Sequence, residues 1–292
     1  MEKNGEIPMR ERSVRCMGPH GLHRMAYVEW GDARCPRVLI CVHGLTRNGR
    51  DFDFLARALA AEYRVVCPDV IGRGRSEWLA AAEDYVLPVY AADIITLIAR
   101  LDVEEVHWVG TSMGGLIGML IAAQPGAPIT RLVLNDVGPL ITAQSLGRIA
   151  QYVGNAPRFA SVDEAEGYVR MVSAPFGKLS DGQWRHLTVH ALRALPDGGY
   201  RMAYDPAIAV PFREAMVRSG EDFDLWPLYD AIRVPTLLLR GEHSDLLTHA
   251  TALEMTRRGP RAELAEIAGV GHAPMLLDEA QIAPVRRFLI GR

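Results

Sequence analysis

Apolar positions along the chain follow two rhythms. Short unbroken runs occur at "RVLICVHG" (37–44), "YRVVCPDV" (63–70), "VHWVG" (106–110) and "ITRLVLNDV" (129–137). Two more follow near the end, "VPTLLLRGEHSD" (234–245) and "AELAEIAGVGH" (262–272). Runs of this kind, closed by glycine or turn residues, predict strands buried on both faces, as in a parallel sheet. Between them apolar residues recur at helical spacing. "DFDFLARALAAE" (51–62) carries Phe52, Leu55 and Leu59, and "VYAADIITLIARLD" (89–102) carries Ile94, Leu97, Ile98 and Leu101. "MGGLIGMLIAAQ" (113–124), "HATALEMTRR" (249–258) and "DEAQIAPVRRFLI" (278–290) are read as helices in the same way. "HRMAYVEWG" (23–31) is an edge or hairpin strand ending at Gly31. The polar residues from 1 to about 20 are read as a tail.

Strands alternating with helices predict βαβ units, hence an α/β fold with a mostly parallel sheet and helices on both faces. The rhythm breaks between 140 and 230. Helical fragments there, such as "AQSLGRIAQYV", "VDEAEGYVRMV", "GQWRHLTVHALRAL" and "VPFREAMVRSG", are cut by Pro157, Pro175, Pro196 and Pro211. A block of that length is no ordinary connection in a compact domain. It predicts a helical cap at 140–230, inserted into a core domain made of 1–139 and 231–292.

Composition narrows the function classes. The chain has 292 residues, 49% hydrophobic and 23% charged, with a net charge of −3 and no long run of one sign. That balance argues against a nucleic-acid or anionic-membrane surface. The N-terminal stretch has no apolar segment of secretory length, and no run is long enough for a membrane span. Cys16, Cys35, Cys41 and Cys67 form no CxxC pair, and their spacing suggests no disulfide framework. Free thiols in a cytoplasmic protein are the expectation.

The candidate chemistry centres on "HWVGTSMGGLIG" (107–118), where Gly110-Thr111-Ser112-Met113-Gly114 matches G-x-S-x-G between a strand and a helix. That context forces the serine onto a tight, strained turn with its hydroxyl above the sheet. A serine hydroxyl needs a base. His272, after the last strand, is the best placed of nine histidines. His43 looks structural, and His107 lies at the far end of its strand from Ser112. His186 and His190 share a helix face but lack the glutamate of H-E-x-x-H, so a solvated face is expected and no metal. The imidazole in turn needs a carboxylate. Asp245 is preferred because it gives the order Ser112, Asp245, His272; Asp136 is a rival and Glu242 a third candidate. The backbone N–H groups of Leu45 and Met113 are the expected oxyanion donors.

On these residues the chain resembles the α/β-hydrolase superfamily. "VHGLTRN" is similar to its oxyanion loop and "GTSMGG" to its nucleophile elbow. "PDVIGRGRS" is similar to its D-x-x-G-x-G-x-S loop (Asp69, Gly72, Gly74, Ser76), "RGEHSD" to its acid loop and "GVGHAP" to its histidine loop. The resemblance implies an α/β-hydrolase fold with an eight-stranded, mostly parallel sheet under a helical cap, and structural roles for Asp69 and Ser76. It also implies a carboxylesterase-type serine hydrolase acting on small esters or lactones, without cofactor or metal. A serine at the elbow points away from the family's dehalogenases and epoxide hydrolases, which use aspartate there. The alternatives are carbon–carbon bond hydrolysis or peracid formation on the same triad, and a non-catalytic binding protein. Arg47, two positions after Leu45, is a candidate to receive a substrate carboxylate, which would favour short hydroxyacid oligomers or dicarboxylic esters. Trp184, Tyr204 and Phe176, together with Tyr152, Phe159, Tyr168 and Trp226, are candidates for lining an acyl pocket.

Overall fold

The computed structural model describes residues 7–219 and 222–291. Gly220, with which the last quoted helical fragment ends, and the first six residues of the expected tail lie outside the described residues. Eight strands form one sheet: β1 (Met9–Gly18), β2 (Gly21–Trp30), β3 (Val38–Val42), β4 (Arg64–Pro68), β5 (Val106–Thr111), β6 (Ile129–Asn135), β7 (Thr236–Gly241) and β8 (Glu263–Ile267). Their order is β1-β2-β4-β3-β5-β6-β7-β8. Only the β1–β2 and β2–β4 pairs are antiparallel. The expected α/β architecture is present.

Residues expected to be tail form β1 instead. It pairs along its whole length with β2, from Met9 opposite Trp30 to Gly18 opposite Gly21. Only Val14 and Cys16 of β1 are buried. An edge strand with two inward side chains among five charged or polar ones leaves little apolar signal.

Alternation along the central strands divides the core in two. Ile40, Val42, Val66, Trp108 and Leu134 face α2 (Leu87–Leu101) and α3 (Met113–Ala122). Leu39, Cys41, Val65, Val109 and Val133 face α1 (Asp53–Leu59) and, at the chain's end, Glu279–Ile290. Strands buried on both faces must read as continuous apolar runs, which is why these were plain in the sequence.

Between β6 and β7 lie the helices α4 (Ala143–Ala150), α5 (Val162–Val172), α6 (Asp181–His190), α7 (Ala209–Ser219) and α8 (Trp226–Ala231). The side chains of Thr142, Ser161 and Ser180 cap α4, α5 and α6. The segment also holds two small sheets that its composition did not signal. Arg158–Phe159, Tyr200–Met202 and Leu192–Ala194 form one. Leu140–Ile141 pairs with Phe223–Asp224 in the other, bringing the segment's two ends together as a neck. The remaining helices are α9 (His249–Met255) and α10 (Glu279–Ile290). Among the described residues no helix is long and apolar enough to cross a membrane.

Candidate active site

Ser112 sits between β5 and α3 with φ 51° and ψ −116°, a conformation that side chains other than glycine rarely adopt. The turn is tight enough to require glycine on both sides. A Cβ on Gly110 would meet the Gly114 carbonyl oxygen at 2.3 Å, and one on Gly114 would meet that of Val42 at 2.0 Å. The Ser112 N–H donates to the Asn135 carbonyl (3.0 Å), which ties the turn to the end of β6.

His272 lies in the loop between β8 and α10. Its Nε2 is 3.0 Å from Ser112 Oγ and its Nδ1 is 2.8 Å from Asp136 Oδ2. An ionised carboxylate can only accept, so Nδ1 carries the proton and Nε2 is free to accept from the Ser112 hydroxyl. Asp136 is the first residue beyond β6, in a left-handed conformation (φ 57°), and is fully buried. It also accepts from the Gly241 N–H (2.9 Å) and the Ser244 hydroxyl (2.7 Å). Three donors offset the cost of burying its charge.

This corrects the preference for Asp245. Its side chain is about half exposed (48%) and pairs with Arg148 of α4. Its backbone carbonyl accepts from Ser145 Oγ (2.7 Å). The neighbouring Ser244 is the residue that turns toward the site, and Asp245 turns toward α4. Glu242 is also directed elsewhere, accepting the Gly269 N–H at 2.8 Å. The rival, Asp136, is the carboxylate that meets the imidazole.

The Met113 N–H opens α3, where the helix dipole favours negative charge. Leu45 lies in a turn closed by the Arg47 N–H on the Gly44 carbonyl (3.1 Å). Leu45 and Ser112 border two cavities that meet at the serine, one on the His272 side and one on the Met113 side.

Arg47 borders the His272-side cavity, but its guanidinium is already engaged. Nε and Nη2 donate to the two oxygens of Asp51, at 2.8 and 2.6 Å. The pair is nearly buried and neutral as a unit, so Arg47 presents no free cation to a carboxylate. Phe176 and Tyr204 line the same cavity, as do Tyr152 and Tyr168. Trp184 does not. It is buried behind Phe176, its ring stacked on that ring at a centroid distance of 6.4 Å. Phe159 packs on Tyr168 (5.4 Å) and Trp226 on Tyr229 (5.7 Å), and neither Phe159 nor Trp226 lines either cavity.

Arg73 carried no sequence signal and stands directly behind the site. It is fully buried and has no ion-pair partner among the described residues. Nε donates to the Leu45 carbonyl (2.8 Å). Nη1 donates to the Ile71 carbonyl (2.7 Å) and the Tyr90 hydroxyl (3.0 Å), and Nη2 reaches Met113 Sδ (3.6 Å). A buried cation held only by neutral partners places positive potential behind Leu45 and Met113.

The other four histidines weighed from the sequence have structural surroundings. His43 Nδ1 donates to the Gly44 carbonyl (2.7 Å) while Nε2 accepts the Val70 N–H (2.9 Å), and burial pushes its pKa down to about 3. His107 meets the Tyr63 hydroxyl at 2.8 Å, and burial lowers its pKa to about 4. The expectation of a solvated face for His186 and His190 is overturned, because α1 covers that face. His186 stands edge-on to Phe54, donates from Nε2 to the Arg50 carbonyl (3.0 Å) and lies 3.6 Å from Asp53. Burial pushes His190 down to about 4. The ligand atoms of Asp53, His186 and His190 all lie within 4.8 Å of one another. Asp53, however, is already neutralised by Arg50 at 2.6 Å, which opposes a divalent cation there. Asp69 accepts the N–H groups of Gly49 and Arg75 (both 2.8 Å), and Ser76 Oγ accepts that of Ala26 (2.8 Å). Both tie loops together.

Comparison with known proteins agrees with this geometry. The family model of the alpha/beta hydrolase fold matches residues 37–279. A 3-hydroxybutyrate-oligomer hydrolase from Cupriavidus necator is 51% identical over 284 residues, covering 95% of this chain and 97% of that protein. A putative hydrolase from Rickettsia typhi superposes with TM-score 0.89 at 30% identity, covering 98% of this chain and 99% of its own. An alpha/beta hydrolase from Novosphingobium aromaticivorans superposes with TM-score 0.86 at 37% identity over the same shares. With a strained serine at the head of α3 and a histidine in the loop after β8, the chain belongs to the alpha/beta hydrolase family.

Proposed function

We propose that this protein is a serine esterase that hydrolyses short hydroxyacid oligomers through an acyl-enzyme on Ser112. The observation that carries the reading is the hydrogen-bonded chain from Ser112 through His272 to Asp136, with the hydroxyl at the meeting point of two cavities. His272 takes the serine proton as Oγ attacks the ester carbonyl, then delivers it to the departing alkoxide. The same ring activates the water that releases the acid. Asp136 holds the tautomer and stabilises the imidazolium. The N–H groups of Leu45 and Met113 receive the oxyanion, with the charge of Arg73 behind them. The residues supply every proton transfer, so the reading requires no metal or cofactor. Residues 140–230 act as the cap that closes both cavities. The four cysteines are unpaired, which supports a cytoplasmic setting.

The oligomer class is supported by the Cupriavidus necator relative, whose name gives 3-hydroxybutyrate oligomers as its substrate. The test is acid release from hydroxybutyrate dimers and trimers, alongside fluorophosphonate labelling. Wild-type protein should release acid and be labelled, and Ser112→Ala should do neither. Folded wild-type protein that resists labelling, or hydrolysis that survives Ser112→Ala, overturns the reading.

A further inference from the structure

The two cavities beside Ser112 differ in character. The one on the His272 side has a volume of about 120 Å³ and carries polar groups from Thr46, Arg47, Asp51, Ser173 and His272. The one on the Met113 side measures about 390 Å³. Its walls include Met113, Leu116 and Val137 from the core and Ile141, Leu146 and Phe212 from the segment above. Among the described residues no charged side chain lines it, and apart from Ser112 its only hydroxyls belong to Tyr85 and Tyr90. Tyr85 donates to Asp205 (2.7 Å), and Tyr90 accepts from Arg73 (3.0 Å).

A chamber so lined offers a polar ligand, or water, few partners. It is suited to hydrocarbon. Orientation follows from the base. His272 must protonate the departing alkoxide, and of the two cavities it borders only the smaller one, where Arg47 and Asp51 lie. The leaving group therefore lies on that side, and the part of the acyl group that stays on Ser112 extends into the apolar chamber.

We propose that this chamber seats an alkyl chain of the acyl group, so that the preferred substrates are medium-chain acyl esters. These include oligomers of 3-hydroxy acids whose alkyl branch is longer than a methyl. The proposal rests on the ester-hydrolase reading and specifies its acyl side. A cavity of about 150 Å³ accommodates benzene, so this larger space has room for an alkyl chain of about eight carbons. A methyl branch would leave most of it empty. Each methylene buried there should raise kcat/KM about fourfold.

The test is a series of nitrophenyl esters from acetate to dodecanoate. The proposal expects kcat/KM to climb by about two orders of magnitude from butanoate to octanoate and then level as the chamber fills. Filling it with Leu116→Trp should lower the octanoate-to-acetate ratio about tenfold or more. Leu146→Phe, at the opposite wall, gives the same readout should the first variant fail to fold. A chain-length profile that is flat, or that peaks at acetate and ignores both substitutions, overturns the proposal. Fluorophosphonate labelling of Ser112 separates the two levels. A flat profile with labelling intact removes the chamber assignment alone, and loss of labelling removes the ester reading as well.

Discussion

Asp136 and Asp245 follow the ends of neighbouring strands, β6 and β7, yet their surroundings are opposite. Asp136 is fully buried and accepts from a backbone amide, a hydroxyl and the His272 ring. Asp245 is half exposed and pairs with Arg148, and its backbone carbonyl accepts from Ser145. A strand end thus places an aspartate near the site without deciding where its carboxylate points. Burial with three donors makes one of them a fixed negative charge that can hold a tautomer. The other is a screened surface pair worth about 0–1 kcal/mol.

The contrast can be tested directly. Asp136→Asn should cut kcat about 10⁴-fold, because the amide would favour the wrong imidazole tautomer. Retention of kcat within tenfold would return the role to another carboxylate. Next in size is a relocation. Ser244 Oγ lies 2.7 Å from Asp136 Oδ2, so a carboxylate at 244 stands beside the same ring. Adding Ser244→Asp to Asp136→Asn should recover about 10²-fold of the lost kcat, although Asp245 is present throughout. Failure of the double variant, if folded, would show that the site requires the β6 origin of the charge. Ser244→Ala alone removes one donor from a buried carboxylate, and a fall in kcat/KM of about tenfold is expected. Asp245→Asn should leave kcat within about twofold and move the melting midpoint by about 1 °C. A loss of more than tenfold there would reverse the comparison.

The fold was legible because its central strands are buried on both faces and its helices on one. β1 escaped because two inward residues, Val14 and Cys16, do not make a pattern. The serine and histidine were legible for a different reason: each sits in a local turn marked by glycines close to it in the chain. The carboxylate was not, because its identity depends on a contact between residues 136 apart in sequence. Chain order favoured Asp245, and only the turn beyond β7 reveals that Ser244 faces inward. Helical spacing showed that His186 and His190 share a face, but not that α1 covers it. Arg73 was silent because a cation with no acidic partner leaves no complementary residue to look for.

The end of β7 and the loop after it donate to the carboxylate that meets His272 and, through residue 245, hold α4. These are separable tasks on adjacent positions. Substitutions at 245 and 148 therefore have latitude to re-seat the roof over the pocket while the hydrogen bonds from Ser112 through His272 to Asp136 stay intact. Evolution, or an engineer, has a handle here for changing what enters without retuning what reacts.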